Sequence, residues 1–246
     1  MKRQAMIIIN PGEYGADNYC EGVNKDGDLY QRFLSSSIGG LWNSAEIIFL
    51  ESPELWKVQS GIAAMMSADY SMAVFCGHGY TDHNDSSIIE LKRDIEIPAT
   101  ELRRGAPKHT VILDCCRIRT PKTRMLVEAR KMAKAAPKLY PSLCREYYDE
   151  YLTKCPPGLV VLQACRSGET AGDDSERGGF YSYSLLSHIQ NWSETFEAAP
   201  SDYEIISVIK AHDDISNSVS RISGGRQHPE IIKPRSSPYF PLGIVA

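Results

Sequence analysis

A chain of 246 residues with 42% hydrophobic and 24% charged residues has the composition of a folded globular domain, which excludes a disordered, collagen-like or polar-repeat chain. The net charge of −4, from 27 Lys and Arg against 31 Asp and Glu, does not mark a nucleic-acid binder, so no nucleic acid is expected as a partner. The longest apolar runs, such as residues 5–9, fall far short of the ~20 residues of a membrane span, and the apolar stretch behind Lys2 and Arg3 is too brief for a secretory signal; no membrane partner is expected, and the expected compartment is the cytoplasm.

In chain order, short β-rich apolar runs alternate with helical stretches, the pattern of a mostly parallel sheet with helices on both faces. Residues 5–10 read as the first strand, closed by Pro11-Gly12. A helix over about 26–37 follows, with Leu29, Tyr30, Phe33 and Leu34 at helical spacing, and Gly39-Gly40 stops it. Residues 45–51 are the second strand, after which Ser52-Pro53 supplies an N-cap and a first-turn proline for a helix reaching about residue 67. Residues 71–76 form strand three. Two alternating runs, 87–91 and 94–97, predict a small hairpin outside the main sheet. Residues 109–114 and 159–164 are near-continuous apolar runs, as expected for strands four and five buried on both faces. Helices at about 179–189 and 203–219 follow, and 229–232 is a sixth strand. Between strands four and five lies a stretch that is helical in composition over 123–136 and broken by Pro137 and Pro141. The whole chain, 1–246, reads as one domain carrying one insert at about 117–157.

Charge is unevenly placed. Residues 117–155 hold ten Lys or Arg against four acids, so the insert is +6 within a body of −10. Cys20, Cys76, Cys115, Cys116, Cys144, Cys155 and Cys165 are an odd count with no Cys-x-x-Cys pair, which argues against a disulfide framework and a zinc ribbon.

The working crevice of a parallel α/β sheet lies beyond the carboxyl ends of its strands. Strand three ends in Cys76-Gly77-His78-Gly79 and strand four in Asp114-Cys115-Cys116. Neighbouring strands run about 4.8 Å apart, so a histidine and a cysteine on these tips face one another across a substrate. That is the requirement of thiol catalysis: a thiolate to attack a carbonyl, and an imidazole to take the thiol proton and protonate the leaving amine. Gly77 and Gly79 let backbone N–H groups approach the developing oxyanion. A single buried cysteine is usually a small apolar core residue, but two adjacent tips with complementary chemistry favour the catalytic reading. Successive strand residues point to opposite faces, so one of Cys115 and Cys116 is the nucleophile and the other is packing.

These motifs resemble the caspase superfamily of cysteine peptidases, most closely its metacaspase and bacterial caspase-like branch. Residues 74–79 resemble that family's strand leading into His-Gly, and residues 111–116 its strand leading into Asp-x-Cys. Residues 22–26 with Phe33-Leu34 are similar to the approach to its first helix. Gln163-Ala164-Cys165, Glu169-Thr170-Ala171 and Gly179-Phe180 with Leu185-Leu186 resemble its small-subunit signature, and Gln227-His228-Pro229 fits as well. The resemblance implies a caspase-like three-layer α/β sandwich on a mostly parallel six-stranded sheet. It also implies a cysteine endopeptidase whose dyad is His78 and Cys116, acting on protein substrates without a cofactor.

The same resemblance implies an acidic substrate pocket lined by Asp26 and Asp114, with Cys76 where a serine often stands. Two carboxylates bind Arg bidentately or Lys as a point charge, so cleavage after Arg, or after Lys, is expected. The alternative for Asp26 is a helix-start residue favoured by the helix dipole. Arg117-Ile118-Arg119 follows the nucleophile in place of the His-Ser-Gly frequent in metacaspases, as in bacterial caspase-like proteins, and Thr123 stands where an acidic calcium ligand is expected; neither calcium dependence nor another metal site is expected. In this family the segment after the nucleophile's strand is the linker cut on maturation of the zymogen. Here it carries the enzyme's own preferred residues: Arg117, Arg119, Lys122, Arg124, Arg130, Lys131, Lys134 and Lys138. The insert thus reads as a lid removed by self-cleavage or by an upstream protease, or as a solvated basic helix or docking surface for an acidic partner. By resemblance alone, an activating sensor and a role in stress or antiviral defence are also implied. The rival function is a catalytically silent caspase-like scaffold that binds a protein partner. Gly12-x-x-Gly15 lacks the full dinucleotide pattern and reads as a turn, and no role is assigned to the remaining histidines.

Overall fold

A computed structural model describes residues 1–119, 141–196 and 203–246. In chain order its elements are β1 (Arg3–Asn10), α1 (Glu21–Ser35), β2 (Ile47–Glu51), α2 (Leu55–Met66), β3 (Tyr70–Gly77), β4 (Gly79–Thr81), β5 (Ser87–Lys92), β6 (Ile95–Pro98), β7 (Lys108–Cys115), α3 (Pro141–Lys154), β8 (Gly158–Gln163), β9 (Asp173–Asp174), β10 (Gly178–Gly179), α4 (Phe180–Ser193), β11 (Glu204–Ser207), α5 (Val208–Ile222), β12 (Glu230–Ile232) and β13 (Pro241–Val245).

Six strands make the central sheet in the order β12-β8-β7-β3-β1-β2. All neighbours are parallel except β12, which runs antiparallel to β8. Because side chains alternate across a strand, each strand feeds two cores. Ala5, Ile7 and Ile9 of β1 join Tyr30 of α1, Tyr148 of α3, Leu185 of α4 and Ile215 of α5 on one face. Met6 and Ile8 join Val58 and Ile62 of α2 on the other, where Ile89, Leu91 and Ile97 of the small β4-β5-β6 sheet complete the cover. The expected sandwich and its six strands are present, with one difference: the second face is roofed by one helix and a small sheet.

Several boundaries depart from the sequence expectation, each for a local reason. The first helix begins at Glu21, not at residue 26, so Asp26 lies in its second turn and is buried. Ser52 sits at φ 42 and the second helix starts at Leu55, so Ser52-Pro53 shapes the approach without capping it. The stretch expected as one helix over 203–219 divides: Ile205 and Ile206 pair with Ile244 and Gly243 of β13, and the Ser207 hydroxyl then accepts from Lys210 N to start α5. Tertiary pairing overrides local helical periodicity there. The helix expected over 123–136 lies outside the described residues.

The far half of the supposed insert is core. Pro141 opens α3 at the first helical position, where its missing N–H costs nothing. Tyr148 is fully buried and its hydroxyl donates to Pro241 O at 2.9 Å. Arg145 grips Glu46 with both terminal nitrogens, at 2.9 and 2.7 Å. Asp149 Oδ1 lies 3.3 Å from Nε of the fully buried Arg3, whose guanidinium also faces the Trp42 ring at 4.6 Å. Tyr148→Ala is therefore expected to destabilise the fold by about 3–5 kcal/mol, the usual cost of emptying a buried aromatic site. Tyr148→Phe, which strands Pro241 O and removes a partner of the Tyr70 hydroxyl, should cost about 1–2 kcal/mol. Urea denaturation of the two variants beside wild type checks the pair.

Candidate active site

β3 and β7 stay in register to their ends, with Cys76 opposite Asp114 and Gly77 opposite Cys115. His78 and Cys116 are the next residues on each chain, so the parallel ladder delivers them side by side. Cys116 is buried on the helical face, and its Sγ donates to Ala171 O at 3.6 Å. Cys115 turns the other way into the second core, to which Ile89 and Leu113 also belong. The alternation that left two candidates thus separates them: Cys116 alone shares the face of α1 and α4. The His78 carbonyl accepts from Glu90 N at 3.0 Å, tying its backbone to β5. Its ring packs on the loop after β1, where a Cβ at Gly12 would sit 3.0 Å from Nε2. The Gly12-x-x-Gly15 turn therefore serves as a wall for the imidazole.

The glycines around His78 are required by close approach. A Cβ on Gly77 would lie 2.6 Å from Asn10 O of β1, and one on Gly79 would lie 2.9 Å from Cys115 Sγ. Gly79 opens β4 opposite Ile89.

Carboxylates gather beside this pair. Asp114 is fully buried, and its Oδ2 accepts from Ser182 N at 3.1 Å and Ser182 Oγ at 2.7 Å. Asp26 is also fully buried and its Oδ1 accepts from Gly179 N at 2.8 Å. A Cβ at Gly179 would fall 2.3 Å from Asp114 Oδ2 and 3.1 Å from Asp26 Oδ2, so both acids converge on the β9–β10 hairpin. Asp173, which sequence reasoning did not single out, pairs with Gly179 in that hairpin and is 1% exposed. Its signal was the Asp173-Asp174 pair shortly after the Glu169-Thr170-Ala171 motif. Cys76 Sγ lies 3.7 Å from Ser182 Oγ, in the same polar cluster. Burial, then the neighbouring Cys76, pushes the Tyr30 phenol well above its usual range, so Tyr30 stays neutral beneath the acids.

Paired strand tips carrying a histidine and a cysteine, over buried acids on this sheet order, point to one family, and a profile of the caspase domain matches residues 2–240. The chain belongs to the caspase domain family. No curated protein sequence matches the chain. Among solved structures, caspase-1 from Spodoptera frugiperda resembles it with a TM-score of 0.57 at 11% identity, over 94% of this chain and 86% of that one. The resemblance read from the sequence is borne out at the level of the superfamily. This caspase domain is a cysteine-type endopeptidase acting on protein substrates.

Among the described residues the caspase domain has no group of three His, Cys, Asp or Glu placed to hold a metal ion, and no helix long and apolar enough to cross a membrane. Of the residues expected as cutting sites, two are described. Arg117 is built into the sheet end: its guanidinium donates to Ser87 Oγ, Cys165 O and Glu230 Oε2 at 3.1, 3.0 and 2.8 Å. Its N–H and carbonyl are also engaged, with Glu169 O and Gly168 N. A protease needs an extended, accessible strand, so Arg117 reads as a structural guanidinium and not as a cutting site. Arg119 is 66% exposed and pairs with Asp85 at 2.7 Å. Lys122, Arg124, Arg130, Lys131, Lys134 and Lys138 lie outside the described residues.

Two other histidines, His109 and His212, occupy structural posts. His109 is buried between Leu102 O and Ser71, and burial lowers its pKa. His212 meets Tyr181 Oη at 2.8 Å and burial pushes its pKa down to about 4. Gly179→Ala, which drives a methyl against both carboxylates, is expected to cost about 1–3 kcal/mol of stability by overpacking and to lower peptide hydrolysis at least several-fold. Thermal melting and a fluorogenic peptide assay measure both.

Proposed function

We propose that this protein is an arginine-directed endopeptidase of the metacaspase or bacterial caspase-like kind, with His78 and Cys116 as its catalytic dyad. The observation that supports the reading is the register of β3 on β7, in which Gly77 and Cys115, the residues just before His78 and Cys116, lie opposite each other and Cys76 lies opposite Asp114, the acid that meets Asp26 around Gly179. In the proposed mechanism, His78 takes the proton of Cys116 Sγ as the sulfur attacks the scissile carbonyl. The negative charge on the carbonyl oxygen is met by backbone N–H groups of the Gly77–Gly79 turn. His78 then passes its proton to the leaving amine, and water hydrolyses the thioester with His78 as base. Asp26 and Asp114 receive the cationic side chain before the cut bond, with Cys76 in the pocket wall. Asp173 supports the same preference as a third buried carboxylate. Arg is favoured over Lys because a planar guanidinium bonds two carboxylates with a fixed fork.

Cys116→Ala is expected to abolish hydrolysis of arginyl peptides and His78→Ala to lower it by about 10²–10⁴-fold, with both variants folded by circular dichroism. Full activity in either variant would falsify the dyad, and silence of the wild type would favour the scaffold reading. Asp26→Asn and Asp114→Asn should each reduce kcat/KM for arginyl substrates by about ten- to a hundredfold, the worth of one charge-assisted hydrogen bond. Steady-state kinetics with arginyl against neutral peptides reads that loss.

Regulation follows from the same preference. The basic stretch from Arg119 to Lys138 presents favoured residues just after the nucleophile, so cutting there in self-processing, or by an upstream protease, releases the zymogen in the cytoplasm. Intact-mass spectrometry is expected to find a cut after Arg119 or a later basic residue in wild type and none in Cys116→Ala. A cut that persists in that variant assigns processing to another enzyme.

A further inference from the structure

The loop over residues 164–172, between β8 and β9, forms one wall of the nucleophile. Ala171 O receives the Cys116 thiol at 3.6 Å, Glu169 O accepts from Arg117 N at 2.9 Å, and Gly168 N donates to Arg117 O at 2.8 Å. Both Cys116 and the residue after it therefore take their places from this loop, which has no ladder of its own over those residues.

What holds the loop from behind is the Gln227-His228 pair, ahead of β12. Gln227 is fully buried, and its side-chain amide spans both ends of the loop. Nε2 donates to Ala164 O and Oε1 accepts from Gly172 N, each at 3.0 Å. The middle of the loop is held through Glu169. Its Oε2 accepts from His228 N at 2.7 Å and Arg166 N at 3.2 Å, and its Oε1 meets His228 Nδ1 at 2.7 Å. The pair is itself fixed: Gln227 N donates to Ser223 Oγ at 3.1 Å, and β12 is laddered to β8 from Glu230 onward. A buried amide whose donor and acceptor are both used has one orientation, and removing it strands two backbone groups.

We infer that Gln227 and His228 are positioning residues for the nucleophile, setting the height and orientation of Cys116 through the 164–172 loop. None of the hydrogen bonds described above joins them to the thiol or to His78; their bonds to the loop go to Ala164, Gly172 and Glu169, and Gly172 adjoins Ala171. The inference rests on Cys116 being the nucleophile. A displacement near 1 Å at a reacting atom costs about a hundredfold in rate, which is the scale such a support can govern.

Kinetics, alkylation of Cys116 by iodoacetamide followed by peptide mass spectrometry, and thermal melting are compared in Gln227→Leu, Gln227→Glu, His228→Ala and His228→Asn. Gln227→Leu keeps the volume and loses both bonds; Gln227→Glu keeps the acceptor for Gly172 N and sets a carboxylate against Ala164 O. Expected are a kcat reduced about ten- to a hundredfold in the Gln227 variants, KM within about twofold, and a Cys116 alkylation rate changed several-fold. His228→Ala should lose several-fold in kcat, and His228→Asn, whose amide can stand in for Nδ1, should recover most of it. A lowered melting temperature with unchanged kcat and alkylation overturns the inference, as does a loss of kcat/KM carried by KM. Should Gln227→Leu fail to fold, the His228 pair decides alone. Cys116→Ala separates the two levels: hydrolysis surviving there sinks the nucleophile assignment, whereas an inactive Cys116→Ala beside unimpaired Gln227 and His228 variants sinks only the positioning role.

Discussion

Eight consecutive residue pairs, from Tyr70 opposite Lys108 to Gly77 opposite Cys115, bind β3 to β7 in one parallel register, and the site depends on that register. A one-residue slip of β3 would carry Met72, Val74 and Cys76 from one core to the other, and one of β7 would exchange Cys116 for Cys115 at the helical face. The slip is resisted from both sides, since every residue of β3 is buried and β1 pairs with it over eight further positions. Gly77 closes the arrangement, because its hydrogen alone fits against Asn10 O. The same contacts that stabilise the sheet thus fix the relative position of an imidazole and a thiol.

Beyond those tips the interior gathers carboxylates. Asp26, Asp114 and Asp173 are nearly or wholly buried within the reach of one two-strand hairpin. Buried carboxylates are costly unless hydrogen-bonded, and here Ser182 and the Gly179 amide serve two of them. The compensating stability comes from elsewhere, notably from the two apolar cores and from α3 locked over the buried Arg3.

How far this was legible in the sequence differs between elements. The five parallel strands announced themselves by apolar runs, and the hairpin at β5–β6 by its alternation, because burial on both faces or on one leaves a local signature. β11 and β13 left none: Ile205 and Ile206 fit a helical period as well as a strand, and only the partner across the sheet chose. The basic tract suggested an insert running to about residue 157, yet Tyr148 and Leu152 of α3 belong to the main core. Composition averaged over the stretch concealed that its charge lies before residue 140.

By itself the sequence determined the family, the order of the main strands and the two motifs at their tips, since each is written in contiguous residues whose spacing carries the chemistry. Only the tertiary structure decided which of two adjacent cysteines faces the helices, that Arg117 is engaged by Glu230 and Cys165, that Asp173 joins Asp26 and Asp114, and that Gln227 braces the loop beside Cys116. These are contacts between residues 48 to 153 positions apart in the chain. Their existence depends on distances that folding creates, and no local pattern records them.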